Sequence, residues 1–166
     1  MQYGIGVEYG LHCLLYLVDR PKGEALGIKE MATFQGVSET YLSKIFTKLR
    51  KQGIVQSAPG VKGGYELSRK PEDISFWDVI EAIEGASYNF QCKNILQNII
   101  VKKEDVPVDK DGCCQCNIKY VMYEAEDKMR DFLREKTLRW LHEDVAKVTT
   151  SEYKEDQQEW FENARK

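Results

Sequence analysis

A mainly α-helical chain with one small β-hairpin is what this 166-residue sequence predicts. Three observations carry that expectation. Apolar residues recur at helical spacing in several separate stretches. A glycine-marked turn separates two of those stretches. Directly after the second, two short β-rich runs flank a loop of small and basic residues. The length suits one domain or a small domain with an appendage, and 42% apolar residues suffice for a core.

The elements follow in chain order. Val7, Leu11, Leu14, Leu15 and Val18 predict a helix over 5–19. Pro21, Gly23 and Gly27 mark a turn and an extended stretch. Ile28 to Phe34 is a short amphipathic helix, and Gly36 suits a left-handed stop. Ser38 is placed to cap the next helix, with Tyr41 as its capping partner. That helix carries Leu42, Ile45, Phe46 and Leu49 on one stripe and ends at Gly53. A strand begins at Ile54-Val55, a loop runs from Pro59 to Gly64, and Tyr65-Glu66-Leu67 resumes the strand pattern. A helix starting near Ile74 or Ser75 carries Trp77, Val79, Ile80 and Ile83 and stops at Gly85. Residues 86–115 are the least regular, with a short helix around 95–101. From Cys116 a long helix runs to about His142, striped by Ile118, Val121, Met122, Ala125, Met129, Phe132 and Leu133. The remainder is a charged, partly ordered terminal helix with Trp160 and Phe161 as its bulky anchors.

Short helix, glycine turn, second helix and glycine-tipped hairpin together read as a winged helix-turn-helix domain. The expected organisation is that domain over 1–85, a cysteine-containing sensor loop over 86–116, a dimerisation helix over 117–145 and a charged tail over 146–166. A long helix outside a compact winged domain usually buries its stripe on a second copy, so a homodimer is expected.

Charge distribution supports a nucleic-acid partner despite a net charge of −3. Within 41–70, Lys44, Lys48, Arg50, Lys51, Lys62, Arg69 and Lys70 face a single acidic residue, Glu66. The second helix of the pair would enter the major groove by its N-terminal end. Ser38, Glu39, Thr40, Tyr41, Ser43 and Lys44 are exposed there, where hydroxyls and ammonium meet base edges and phosphates. Lys48 and Lys51 lie further along and suit backbone charge. In the wing, Lys62 sits among glycines that let the backbone approach a phosphate or the minor groove closely.

Five cysteines, Cys13, Cys92, Cys113, Cys114 and Cys116, are an odd number in a chain that opens without a basic n-region and cleavage site. A disulfide scaffold is therefore not expected, and a cytoplasmic location is. The most apolar stretch is broken by Glu8, His12 and Asp19, so no membrane span is expected. Cys13 has apolar neighbours and reads as an inert buried thiol. Glu8 and His12 are four apart, hence on one helical face, and by themselves read as an exposed pair. Enzyme activity is not expected: the chain has two histidines, no nucleophile elbow and no phosphate loop.

The segment SETYLSKIFTKLRKQGIVQSAPGVKGGYELSR resembles the recognition helix and wing of the Rrf-two family of bacterial winged-helix transcription regulators, the IscR/NsrR-like group. The likeness runs from Val7 through Gly85, taking in IKEMA, GGYEL and DVIEAIEG, and continues more weakly beyond. It implies DNA contacts at Ser38, Thr40, Tyr41, Lys44 and the wing residues Gly60, Lys62, Gly63, Gly64 and Tyr65, on double-stranded promoter DNA. GVEYGLHC resembles the start of a redox-sensing subgroup in which a [2Fe–2S] cluster takes a glutamate and a histidine from one subunit and two cysteines from the other. By that resemblance the ligands are Glu8, His12, Cys92 and Cys116, with Cys113 and Cys114 as alternatives. The alternative expectation is the same DNA-binding fold switched by thiol oxidation, by zinc or by a protein partner, with no cluster.

Overall fold

A computed structural model describes residues 3–21, 23–60, 63–93, 95, 100 and 116–164. The chain divides into two compact units: Ser87–Phe132, and residues up to Ala86 together with those from Leu133 onward. The described fold is helical with a single two-stranded antiparallel sheet.

In the larger unit, α1 spans Ile5–Leu15, shorter than expected. Leu17 and Val18 donate to Leu14 and Leu15 in tight i→i−3 turns, and Asp19 adopts a left-handed φ of 63°. Leu17 and Val18 stay buried in that turn, so the apolar pattern outlasts the helix. Helix α2 (Ile28–Gln35) stops at Gly36, whose φ of 68° is the left-handed conformation glycine adopts without strain. Helix α3 (Glu39–Lys51) starts on the Ser38 cap, whose hydroxyl accepts from the Tyr41 amide at 3.1 Å. Its four stripe residues are all buried.

Strands β1 (Val55–Ala58) and β2 (Gly64–Leu67) pair Val55 with Leu67 and Ala58 with Gly64. Leu26 joins β2 by a two-way backbone pair with Tyr65. A Cβ on Gly64 would lie 2.2 Å from the Leu26 carbonyl oxygen, and one on Gly63 2.6 Å from that of Ala58. The double glycine is therefore a packing requirement of the hairpin itself. After a short 3₁₀ turn (Pro71–Asp73), α4 (Phe76–Glu84) begins on a capping box. The Ser75 hydroxyl accepts from the Asp78 amide while the Asp78 carboxylate accepts from the Ser75 amide. Ser75, not Ile74, is the cap; Ile74 is fully buried in extended backbone.

The long helix expected to reach His142 is two helices, α5 (Asn117–Glu135) and α6 (Leu138–Val148). Between them, Lys136 and Thr137 are extended against the start of α4. The Phe76 amide donates to Lys136 and the Leu138 amide to Ile74, at 2.8 and 2.9 Å. The Thr137 hydroxyl then caps α6 through the Trp140 amide. This non-local pairing competes with continued helix and wins, because it also buries Leu138 completely. Arg139 ties α6 to the turn after α1 through Asp19 at 2.8 Å.

The tail forms α7 (Ser151–Asn163), capped by Thr150. Phe161 is 1% exposed. Its ring lies 4.9 Å from Phe34 and 5.3 Å from Tyr16, with Trp160 also against Phe34 at 5.1 Å. The smaller unit contains most of α5 and the segment before it. The short helix expected at 95–101 falls outside the described residues except for Ile95 and Ile100. No described helix is long and apolar enough to cross a membrane.

Candidate nucleic-acid interface

The N-terminal end of α3 is presented outward. Ser38, Glu39, Thr40, Tyr41 and Lys44 are exposed, and Ser43 is half-buried, its carbonyl accepting from the Thr47 hydroxyl at 2.8 Å. The leading backbone amides other than that of Tyr41, which the Ser38 cap engages, form with these hydroxyls and this ammonium a surface that favours phosphate and can donate to base edges. The Ser38 hydroxyl has a second task as the cap, so it brings one lone pair already engaged.

Three candidate side chains have structural partners that spacing did not announce. The Lys48 ammonium donates to the Ile83 carbonyl at 2.6 Å, closing the last turn of α4 and tying it to α3. The Tyr65 ring packs on Phe46 of α3 with centroids 5.0 Å apart. Tyr41, 38% exposed, leans back on α1: its ring is edge-on to Tyr9 at 6.1 Å, and its hydroxyl lies 3.2 Å from where a Cβ on Gly6 would stand. Gly6 is the small residue that admits it. Sequence reading missed that approach; the small residue Gly6 in an otherwise apolar helix is the one signal that marks it.

In the hairpin, Gly60 is exposed with a φ of 121°, while Gly63 and Gly64 are half-buried. Lys62 lies outside the described residues. Arg50, absent from the candidate contacts, is exposed, its guanidinium 3.3 Å from the Ser57 hydroxyl of β1. The basic count over 41–70 already contained it.

The candidate ligands are distributed as follows. Glu8 and His12 are both exposed, one turn apart on α1. Cys92 and Cys116 are half-buried, the latter immediately before α5. Cys113 and Cys114 lie outside the described residues. Among the described residues no three His, Cys, Asp or Glu side chains converge on a metal-sized site. Cys13 is fully buried, and burial pushes its thiol up to about 12, as expected of an inert core cysteine.

The sequence pattern of Rrf2, described as "Iron-dependent Transcriptional regulator", matches residues 4–144. The HTH-type transcriptional regulator NsrR of Halalkalibacterium halodurans is 30% identical over 139 residues, covering 84% of this chain and 88% of that protein. NsrR of Bacillus subtilis (strain 168) is 30% identical over 144 residues, covering 85% and 92%. Among solved structures, that of T. potens IscR is similar with a TM-score of 0.65 at 24% identity, covering 91% of this chain and 93% of that one.

Proposed function

Because the chain belongs to the Rrf2 family of DNA-binding transcriptional regulators, we propose that two copies place their α3 N-termini and hairpins on one face of a promoter duplex, and that iron–sulfur chemistry at the boundary between the copies sets their affinity. It is a regulator and not an enzyme.

In this reading Ser38, Glu39, Thr40, Tyr41, Ser43 and Lys44 meet base edges and adjacent phosphates, and Gly60, Lys62, Gly63 and Gly64 bring the wing to the backbone. Lys48 has two further N–H groups beyond its bond to Ile83, so it adds phosphate charge only alongside its tie to α4. Tyr65 serves by bracing the hairpin on Phe46.

One observation supports a shared cofactor above the others. Glu8 and His12 stand exposed on a single turn of α1, a carboxylate and an imidazole on an otherwise apolar helix. The donor set suits a [2Fe–2S] cluster held by Glu8 and His12 of one copy and by Cys92 and Cys116 of the other. When bound, the cluster supplies a one-electron change of charge at a site that neither copy completes alone. Oxygen and nitrogen donors in place of thiolate raise the reduction potential, as histidine ligation does in Rieske centres. The residues of the chain do the rest. Glu8 contributes a carboxylate oxygen and His12 an imidazole nitrogen, and Tyr9 contacts Tyr41, which joins the ligand turn of α1 to the N-terminal end of α3. A coupling of about 1–3 kcal/mol between cluster state and DNA affinity is enough for regulation.

The test is purification under nitrogen. The expected result is a coloured protein with iron and acid-labile sulfide near two each per protomer, lost in Glu8→Ala and His12→Ala, and a promoter affinity that differs between dithionite-reduced and ferricyanide-oxidised protein. A colourless, iron-free protein after anaerobic reconstitution removes the cluster. A disulfide that appears under oxidant, or stoichiometric zinc, would put the thiol-switch or zinc reading in its place.

A further inference from the structure

Two charged residues have no part in reading DNA or in the ligand set, yet they are the buried residues of α5. Glu126 is 5% exposed and Arg130 6%, on a helix whose apolar residues Ile118 and Val121 are 68% and 64% exposed. The Arg130 guanidinium donates to Glu126 Oε1 at 2.7 Å. The Asn89 amide donates to Glu126 Oε2 at 3.0 Å, and the Asn89 side-chain nitrogen to Oε1 at 3.2 Å. The Tyr88 hydroxyl donates to Asp127 at 2.6 Å. The Tyr88 ring lies 4.0 Å from the Arg130 guanidinium and 4.6 Å from the Tyr123 ring. Phe90 closes the group edge-on to Tyr123. Burial alone would push the Glu126 carboxyl up; the Arg130 and Asn89 hydrogen bonds outweigh it and hold the group below the usual carboxylate range.

A buried ion pair is a weak source of net stability, since desolvation offsets most of the attraction. What such a pair can supply is a fixed register. Here the register is that of residues 88–90 on α5, and Cys92 follows two residues later. Cys116 immediately precedes the first turn of the same helix. Residues 88–90, just before Cys92, are therefore held on α5 at positions 126–130, and Cys116 adjoins the start of the same helix. The two points are roughly 15 Å apart along the helix at 1.5 Å per residue. Ile118, Val121, Met122 and Ala125, the apolar stripe left exposed, lie between them.

We infer that Glu126, locked by Arg130, is a positioning residue that bolts the Cys92 end of the cysteine segment to α5, so that a change at the cysteines is delivered to the exposed stripe of this helix. The inference rests on the proposal that the cysteines respond to a signal, and it holds for cluster, thiol or zinc chemistry alike. Charge-assisted hydrogen bonds give the bolt its strength. Asn89 supplies its backbone and not only its side chain, so the chain path itself is held.

The experiment uses the full-length protein isolated under nitrogen and compares Glu126→Ala with Glu124→Ala. Glu124 makes an exposed pair with Lys128 on the same helix and serves as the control. Three readouts are taken: hydrogen exchange of the Asn89 amide, alkylation of Cys92 by iodoacetamide followed by peptide mass spectrometry, and promoter affinity in dithionite and in ferricyanide. In Glu126→Ala, exchange and alkylation rise by about tenfold or more, and the ratio of the two affinities falls toward one. Glu124→Ala leaves all three unchanged. Glu126→Gln keeps an acceptor for Asn89 while losing the charge, so it gives smaller changes in the same direction and carries the test should the alanine variant fail to fold. Unaltered Asn89 exchange and Cys92 alkylation in both Glu126 variants overturn the inference. So does a rise in both with the affinity ratio intact. If the unmutated protein itself shows a ratio of one, the sensing proposal falls and the coupling with it, while exchange and alkylation still decide whether Glu126 holds Cys92 in place.

Discussion

Lys44 and Lys48 sit one turn apart on α3, and a count of basic residues treats them alike. Their surroundings separate them. Lys44 projects from the exposed N-terminal end, whereas the Lys48 ammonium is 2.6 Å from the Ile83 carbonyl. Lys44→Ala is therefore expected to weaken promoter binding by roughly 1–3 kcal/mol with little change in melting temperature. Lys48→Ala is expected to cost about 1 kcal/mol of stability through the lost tie to α4, and to lower the salt dependence of binding by less than one phosphate's worth. Paired thermal melts and salt titrations check both. A Lys48→Ala protein with unchanged stability and a salt slope reduced by a full unit would show that this ammonium serves DNA alone. Gly64 makes the same point about glycine. Its Cβ would lie 2.2 Å from a backbone oxygen, so the residue is fixed by the hairpin before any phosphate is considered.

At the scale of elements, α7 shows how a charged tail becomes part of a folded unit. Its apolar content is small, but Phe161 enters a cluster with Tyr16, Phe34 and Trp160, and the Arg20 guanidinium lies 5.5 Å from its ring. Phe34 belongs to α2, so α7 packs against the first helix of the helix-turn-helix pair. Truncation of such a buried ring typically costs about 3–5 kcal/mol. Phe161→Ala is expected to release α7 before the rest of the unit melts, seen as rapid limited proteolysis within 149–163 at temperatures where α1 to α4 remain protected. Uniform protection of α7 in that variant would mean the ring is not its anchor.

At the scale of the molecule, α5 is amphipathic in the unusual sense. Its charged residues Glu126 and Arg130 are covered, while Ile118, Val121, Met122 and Phe132 are open to solvent, Phe132 at 57%. An exposed stripe of that length on a regulator proposed to act as a pair fits a helix-to-helix seam between copies. Val121→Asp places a charge at its centre and is expected to shift sedimentation equilibrium from dimer to monomer, with promoter affinity falling because one head binds without the other. A stable dimer in Val121→Asp would assign the seam to a different surface.

Much was fixed by local order in the sequence. Ser38 before Tyr41, Gly36 after α2 and the paired β runs each specify backbone geometry within about one helical turn, and each forms as read; the helix expected to start near Ile74 or Ser75 starts on the Ser75 cap, which the structure alone closes with Asp78. The facing of Glu8 and His12 was legible for the same reason, since four residues return a helix to the same side. What the tertiary structure decided involves partners far away in the chain. The break between α5 and α6 is made by Ile74 and Phe76, the direction of Lys48 by Ile83, the lean of Tyr41 by Gly6 and Tyr9, and the covering of Glu126 by Asn89. A hydrophobic period records which side of a helix is apolar; it holds no record of which distant backbone group will outbid the next turn of helix or claim a charged side chain.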